Sequence, residues 1–231
     1  MKKNVLFTLI FTFISYSLMA AEVTVSGTSK NQWTGNIDGG SNESFVLSVL
    51  PEVNVHFDND WQLTSTARIR ADLFDETYPA AVRRDGVSSM SKSALVSDHL
   101  EVELREFFVE GEVGESFVTL GKQQVVWGKS DGLKVLDIVN PQSFNEFILD
   151  DFEESRIPLW TVNIEQTIGE WDLQYIWIPD NTYHALPKQD SPFAFTSPEL
   201  VPVAPPGIAV NVNDADRPTS LIEDSDAGIK M

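Results

Sequence analysis

The chain of 231 residues carries three histidines, His56, His99 and His184, and no cysteine. None of the histidines stands in a Ser-His or metal-ligand spacing, so hydrolytic chemistry has no motif to rest on. A membrane-embedded lipid hydrolase, whose serine, histidine and acid would meet only in space, is the one enzyme left open. The acid clusters Asp150-Asp151 and Asp214-Ala215-Asp216 offer oxygen ligands of the kind calcium takes, but neither follows the EF-hand pattern. The expectation is therefore no enzyme, no metal and no cofactor. The basic residues are sharper. Arg68 and Arg70 lie two apart, on one side of any strand, and unpaired they would attract anionic solutes. The alternative is that Arg68, Arg70 and Lys122 pair with Glu52, Asp72, Glu165 and Asp172 to fill a polar interior.

These side chains sit in sequence of strict alternation. From Ser44 to Phe57 the odd positions are Phe45, Leu47, Val49, Pro51, Val53, Val55 and Phe57, and the even ones include Ser48, Glu52, Asn54 and His56. After the turn Asp58-Asn59-Asp60, Leu63, Ala67, Ile69 and Ala71 oppose Thr64, Thr66, Arg68, Arg70 and Asp72. Such a period of two predicts a hairpin with one apolar and one polar face. A second hairpin is expected over residues 100–128 with its turn at Gly114-Glu115-Ser116. A third follows over 157–178 with its turn at Gly169-Glu170, and a weaker strand runs from Glu22 to Trp33. The parity switches near Arg105-Glu106-Phe107, which predicts a β-bulge. Lys122 is near mid-strand, where a lysine facing lipid costs about 2–4 kcal/mol, so it is expected to face inward, with Phe117 and Trp127 outward.

Tight turns at 58–60, 114–116 and 169–170 alternate with long polar connections, and aromatic residues (Phe57, Trp61, Phe117, Trp171) sit beside the tight turns. Together these predict an all-β fold, an antiparallel transmembrane β-barrel with long external loops. About seven strands are visible, whereas bacterial single-chain barrels close with an even number, eight or more, so residues 22–231 are expected to be the N-terminal portion of the barrel. The lumen-facing candidates are Arg68, Arg70, Asp72, Lys122 and Glu165. A soluble periplasmic β protein is the competing architecture.

Composition fits export. Residues 1–21 have a Lys2-Lys3 n-region, an apolar run from Val5 to Leu18 and small residues at Ala20-Ala21, the pattern of a signal peptide. No cysteine follows, which excludes a lipoprotein. With 16 Lys and Arg against 35 Asp and Glu, the net charge is −19, the wrong sign for nucleic acid. The acidity suits solvated loops.

One loop is more specific. Asn140-Pro141 has the chemistry of a helix opening, with Asn as cap and Pro at the first position. A helix from Pro141 to about Leu149 would bring Phe144, Phe147 and Ile148 to one side, seeking an apolar surface at the barrel mouth. The loop is expected to fold inward as a constriction built on Asp137, Asn140, Pro141, Phe144, Phe147 and Arg156, with Arg156 beside the acidic run 150–154; the alternative is an external helix packing only on neighbouring loops. The proline-rich segment from Asp180 to Asp216 reads as an external loop, and residues 226–230 as the opening of another strand.

Gly121-Lys122-Gln123, Val126-Trp127-Gly128, Asp137 to Pro141 and Arg156 to Pro158, preceded by Leu104-Arg105-Glu106-Phe107-Phe108, resemble a family of uncharacterised proteobacterial outer-membrane proteins. That family is porin-like and related to alginate-export-type barrels. The resemblance covers residues 100–178 and implies an outer-membrane barrel without naming a solute. The functional expectation is a passive outer-membrane channel or exporter for small solutes or apolar or anionic molecules, with lipid and an unidentified solute as partners. A non-transporting barrel whose external loops bind a surface partner or polysaccharide is the alternative.

Overall fold

Alternation of apolar and polar residues makes each strand two-faced, and two-faced strands pair so that like faces align. The computed structural model describes residues 16–18, 21–34, 44–73, 87–97, 99–128, 137–145, 151–187, 195, 197, 199, 207 and 220–231. They form ten strands: β1 (Tyr16–Leu18), β2 (Ala21–Thr34), β3 (Ser44–Phe57), β4 (Gln62–Asp72), β5 (Ala94–Ser97), β6 (Leu100–Val113), β7 (Ser116–Gln123), β8 (Leu159–Ile168), β9 (Trp171–Ile178) and β10 (Asp226–Lys230). All ten join one antiparallel sheet. Nine follow one another in the order β1-β2-β3-β4-β6-β7-β8-β9-β10, and β5 adds to β6. The sheet is open, with β1 and β10 at its edges.

The register carries the alternation across the sheet. Val49 faces Ser29 and Ile69, Val55 faces Val23 and Leu63, and Leu120 faces Val109 and Val162. The other face aligns Ser48 with Arg70 and Glu101, and Glu110 with Thr119 and Asn163. The three tight turns form where expected, each with a left-handed residue: Asp60 at φ 63°, Gly114 at 65° and Gly169 at 66°. Because strand directions alternate along the path, all three turns lie at one end of the sheet, and the long connections at the other.

Several expectations need correcting. The count of about seven strands misses β1, β5 and β10. Of these, β1 lies within the expected leader, and β10 spans the residues read as an opening strand. The strand expected to run to Gly128 ends at Gln123. The helix expected from Pro141 is absent over Pro141–Asn145, where Gln142 and Ser143 instead make bridges to Arg156 and Ala185. A single helical turn, α1 (Phe152–Ser155), stands further along, behind Asp151. Phe147, Ile148 and the rest of 146–150 lie outside the described residues.

The expected bulge is present. The β4–β6 register shifts between Thr66 and Ala67, so that Arg105 is left over opposite them. Close to this level the β3–β4 ladder skips Leu50 and Pro51, since Pro51 has no N–H to donate. Gly121, at φ 130°, completes the belt of irregularities: a Cβ there would lie 2.2 Å from the Phe107 carbonyl oxygen. The wall is thus regular toward the tight turns and broken above mid-height. A small apolar cluster of Val125, Leu159, Ile176 and Ile178, flanked by Trp127 and Val139, fastens the chain after β7 to the β8–β9 hairpin.

Candidate functional site: a charged inner face under two inserted segments

The face of the sheet bearing Ser48, Thr64, Arg70, Asp72, Glu101, Thr119, Thr161 and Asn163 is buried, although all of these residues are polar or charged. In the half near the long connections, chain from those connections covers it. Residues 137–145 and 151–158 lie across it, and so does a strap at residues 87–93.

The first insertion is held by side chains that replace secondary structure. Asn140, 2% exposed, accepts from the Val125 N–H at 2.8 Å and donates to the Ile157 carbonyl at 2.9 Å. One amide therefore joins the end of β7 to the start of β8 across the loop. Arg156 Nε donates to Asp137 at 2.5 Å, and the Asp137 carboxylate is 1% exposed. Sequence reading placed Arg156 beside the acids of 150–154. The structure gives it Asp137 instead, while Arg105 takes the carbonyls of Glu153, Glu154 and Arg156 at 3.1, 3.2 and 3.0 Å. Lys30 of β2 meets Glu154 at 3.0 Å. Pro141 accepts from the Ile157 N–H at 2.8 Å. Phe144 has its ring 5.9 Å from that of His184, and its N–H bonds the Ala185 carbonyl at 2.8 Å. The loop is thus inside, pinned by polar bonds rather than by the apolar face of a helix.

The expected lumen residues fall into two groups. Arg68, Arg70 and Asp72 share the inner face of β4. Arg68 is bonded to Glu103 at 2.5 Å, and Arg70 faces Glu101 across the ladder. The pairing alternative therefore describes Arg68 better than a free anion-attracting charge does. Glu165 lies far from them, toward the tight turns, where Asn163 and Gln174 donate to it at 3.2 and 3.1 Å. Lys122 belongs to neither group. Its backbone pairs with Phe107 and Trp160, residues of the apolar face, yet the residue is 1% exposed. Its ammonium turns into the break above β7 and donates to the Leu104 and Ser91 carbonyls at 2.7 and 3.4 Å. The ammonium is thus buried within the sheet instead of exposed on its apolar face. Trp127 is not outward as expected: its indole donates to Gln174 at 2.8 Å, over Gly228 on the inner face. Phe117, opposite Glu112 and Glu165, shares that face.

Sequence reading missed Arg105, Glu101, Glu103 and Asp180. The parity switch that predicts the bulge was the available signal, because a bulge turns two consecutive residues, Arg105 and Glu106, to one side. Charge is also segregated along the face. Arg68, Arg70 and Arg105 crowd the half near the long connections, where Asp72, Glu101 and Glu103 accompany them. Glu52, Glu110, Glu112, Glu165 and Asp172 occupy the half near the tight turns. Between Arg68, Arg70, Glu101, Glu103 and the strap remains a cavity of about 40 Å³, room for water rather than for a solute. Among the described residues no three His, Asp or Glu side chains converge as metal ligands.

A family model described as a protein of unknown function, DUF1302, matches residues 19–186. The chain belongs to the DUF1302 family. The match spans the inner face, both insertions and all the motifs between residues 104 and 158, so the site just described is built from DUF1302 sequence. No curated protein and no solved structure matches the chain. The DUF1302 match by itself shows no relation to alginate-export barrels.

Proposed function

We propose that this DUF1302 chain forms part of the wall of an outer-membrane β-barrel, a porin-like channel for passive passage of small solutes. One observation carries the reading: the sheet is inverted relative to a water-soluble one. Its covered face holds charges, and its bare face holds Ile69, Leu104, Phe107, Leu120, Tyr175, Trp177 and Ile229, all exposed. In water this continuous apolar surface would be a liability, whereas hydrocarbon is its natural solvent. Strands β2, β3 and β6 have 14 residues each, more than the roughly 9–11 that a tilted strand needs to cross a bilayer. Exposed Phe57 and Trp171 beside the tight turns and Trp33 at the opposite end suit the two interfacial girdles. With the leader that carries β1 removed, the open edges of β2 and β10 fit a wall closed by further strands, since an edge in lipid would leave its N–H and C=O groups unsatisfied. The leader at residues 1–21 and relation to alginate-export-type barrels belong to the same proposal.

The segments lying on the inner face favour one second reading, a non-transporting barrel whose loops bind a surface partner. Two measurements decide. The full-length protein should fractionate with the outer membrane, and recovery in the soluble periplasm would end the barrel reading. In planar bilayers it should conduct. Silence, persisting after deletion of residues 130–155, would leave the second reading in place of the channel.

A further inference from the structure

The wall of the sheet has a hole, and the strap at residues 87–93 fills it. β6 runs from Leu100 to Val113, but its neighbour β7 pairs only with Phe107–Val113. Above that level β7 has ended at Gln123, and β5 takes its place on β6, Ala94 facing Val102 and Leu95 facing Glu101. Among the described residues nothing pairs β5 with β8. Residues 88–91 span that interval, held on its far side by one carboxylate. Asp180, 3% exposed, accepts from the hydroxyls of Ser88 and Thr182 on one oxygen. On the other it accepts from Ser91 Oγ at 2.5 Å and the Trp160 N–H at 3.3 Å. The Ser88 N–H bonds Thr182 Oγ1 at 3.1 Å, and the Trp160 indole bonds the Met90 carbonyl at 3.0 Å. Lys122 closes the underside through the Ser91 carbonyl.

Resting on the channel reading, we infer that this break is a side gate, latched by Asp180, through which apolar small molecules leave the interior for the membrane. Strap and strand meet through hydrogen bonds, not an apolar seam, so the joint can part without exposing a hydrophobic core. Ser91 faces inward and Met90 outward. The outer rim of the break is apolar and exposed: Met90, Val96, Leu104, Phe107 and Leu120. A polar solute finds no partner on that rim, whereas an apolar one passes from it directly into hydrocarbon. The cavity on the inner side of the strap, about 40 Å³, has room for water only.

The test uses cells expressing the full chain, with the apolar dye 1-N-phenylnaphthylamine as probe of entry across the outer membrane and planar-bilayer KCl conductance as the control. Asp180→Asn should raise dye uptake at least threefold and leave conductance within twofold. The pair Ser88→Cys and Thr182→Cys, oxidised to a disulfide, should lower uptake to that of cells lacking the protein, with dithiothreitol restoring it. That restoration also shows that the variant folds. Dye uptake indifferent to both latch and lock would overturn the gate, and so would a lock that stops dye and ions together, since the strap would then block the lumen. Absence of conductance in the unmodified protein would count against the channel reading alone.

Discussion

Three side chains carry more of this structure than their types suggest. Asp137 and Arg156 form a pair with both partners nearly out of solvent, and removing one partner of such a pair strands a buried charge at a cost of about 3–5 kcal/mol. Asp137→Ala and Arg156→Ala should each lower stability by that order, while the double variant should cost clearly less than their sum. Urea unfolding in lipid vesicles, followed by tryptophan fluorescence, measures the cycle, and simple additivity would show that the pair does not act as a unit. Asn140 is neutral but works harder. Asn140→Ala orphans the Val125 N–H and the Ile157 carbonyl, each at about 1–3 kcal/mol. Asn140→Asp keeps the acceptor and loses the donor, so it should recover only part of the loss in the same assay.

At the scale of elements, the belt of irregularities near mid-height controls the wall. Gly121 ends the regular part of β7 in a backbone conformation open to glycine, and any Cβ would collide with the Phe107 carbonyl. Gly121→Val should prevent the folded, heat-modifiable form from appearing on unheated SDS gels. Gly114→Ala, at a turn with open space around it, should cost only the left-handed backbone penalty, about 1 kcal/mol, and leave that form intact. A Gly121→Val protein that folds would mean that β7 can end elsewhere. The contrast separates a glycine required by packing from one required by conformation. The same belt turns Arg105 and Glu106 inward together, and Arg105 then anchors three carbonyls of the second half of the inserted loop.

Across the whole molecule the inner face is polarised. Cations near the long connections are engaged by Glu103, carbonyls and facing carboxylates, while the half near the tight turns presents Glu52, Glu110, Glu112, Glu165 and Asp172. If the chain lines a channel, as proposed, ion passage should be biased toward cations, a field effect that weakens as salt screens it. Reversal potentials in a KCl gradient should show cation preference, reduced by the pair Glu110→Gln and Glu165→Gln and diminished at high ionic strength. Anion preference would instead mean that Arg68 and Arg70 dominate the lumen despite Arg68's partner.

How much was legible in the sequence follows from the range of the forces involved. Alternation is a local property of the backbone, so Phe45 to Phe57, the faces of β4 and the three turns could be read residue by residue. The bulge at Arg105 was legible too, because a parity switch is written along one strand. The loop at 137–145 lies on the polar face without the helix expected there. Asn140-Pro141 looks like a helix start, but the Asn140 amide found better partners at Val125 and Ile157, and tertiary bonds override a local cap. Lys122 shows the limit from the other side. Energetics said that it must avoid lipid, but only the early end of β7 provides a place inside the wall. The early end of β7, the strap that fills the gap and the Asp180 latch join residues from 31 to 94 apart, at separations where no periodicity speaks. The chain by itself determined which faces exist and where it turns. Tertiary structure alone decided what covers the polar face and where the wall is broken, because those depend on partners that meet only after the sheet has formed.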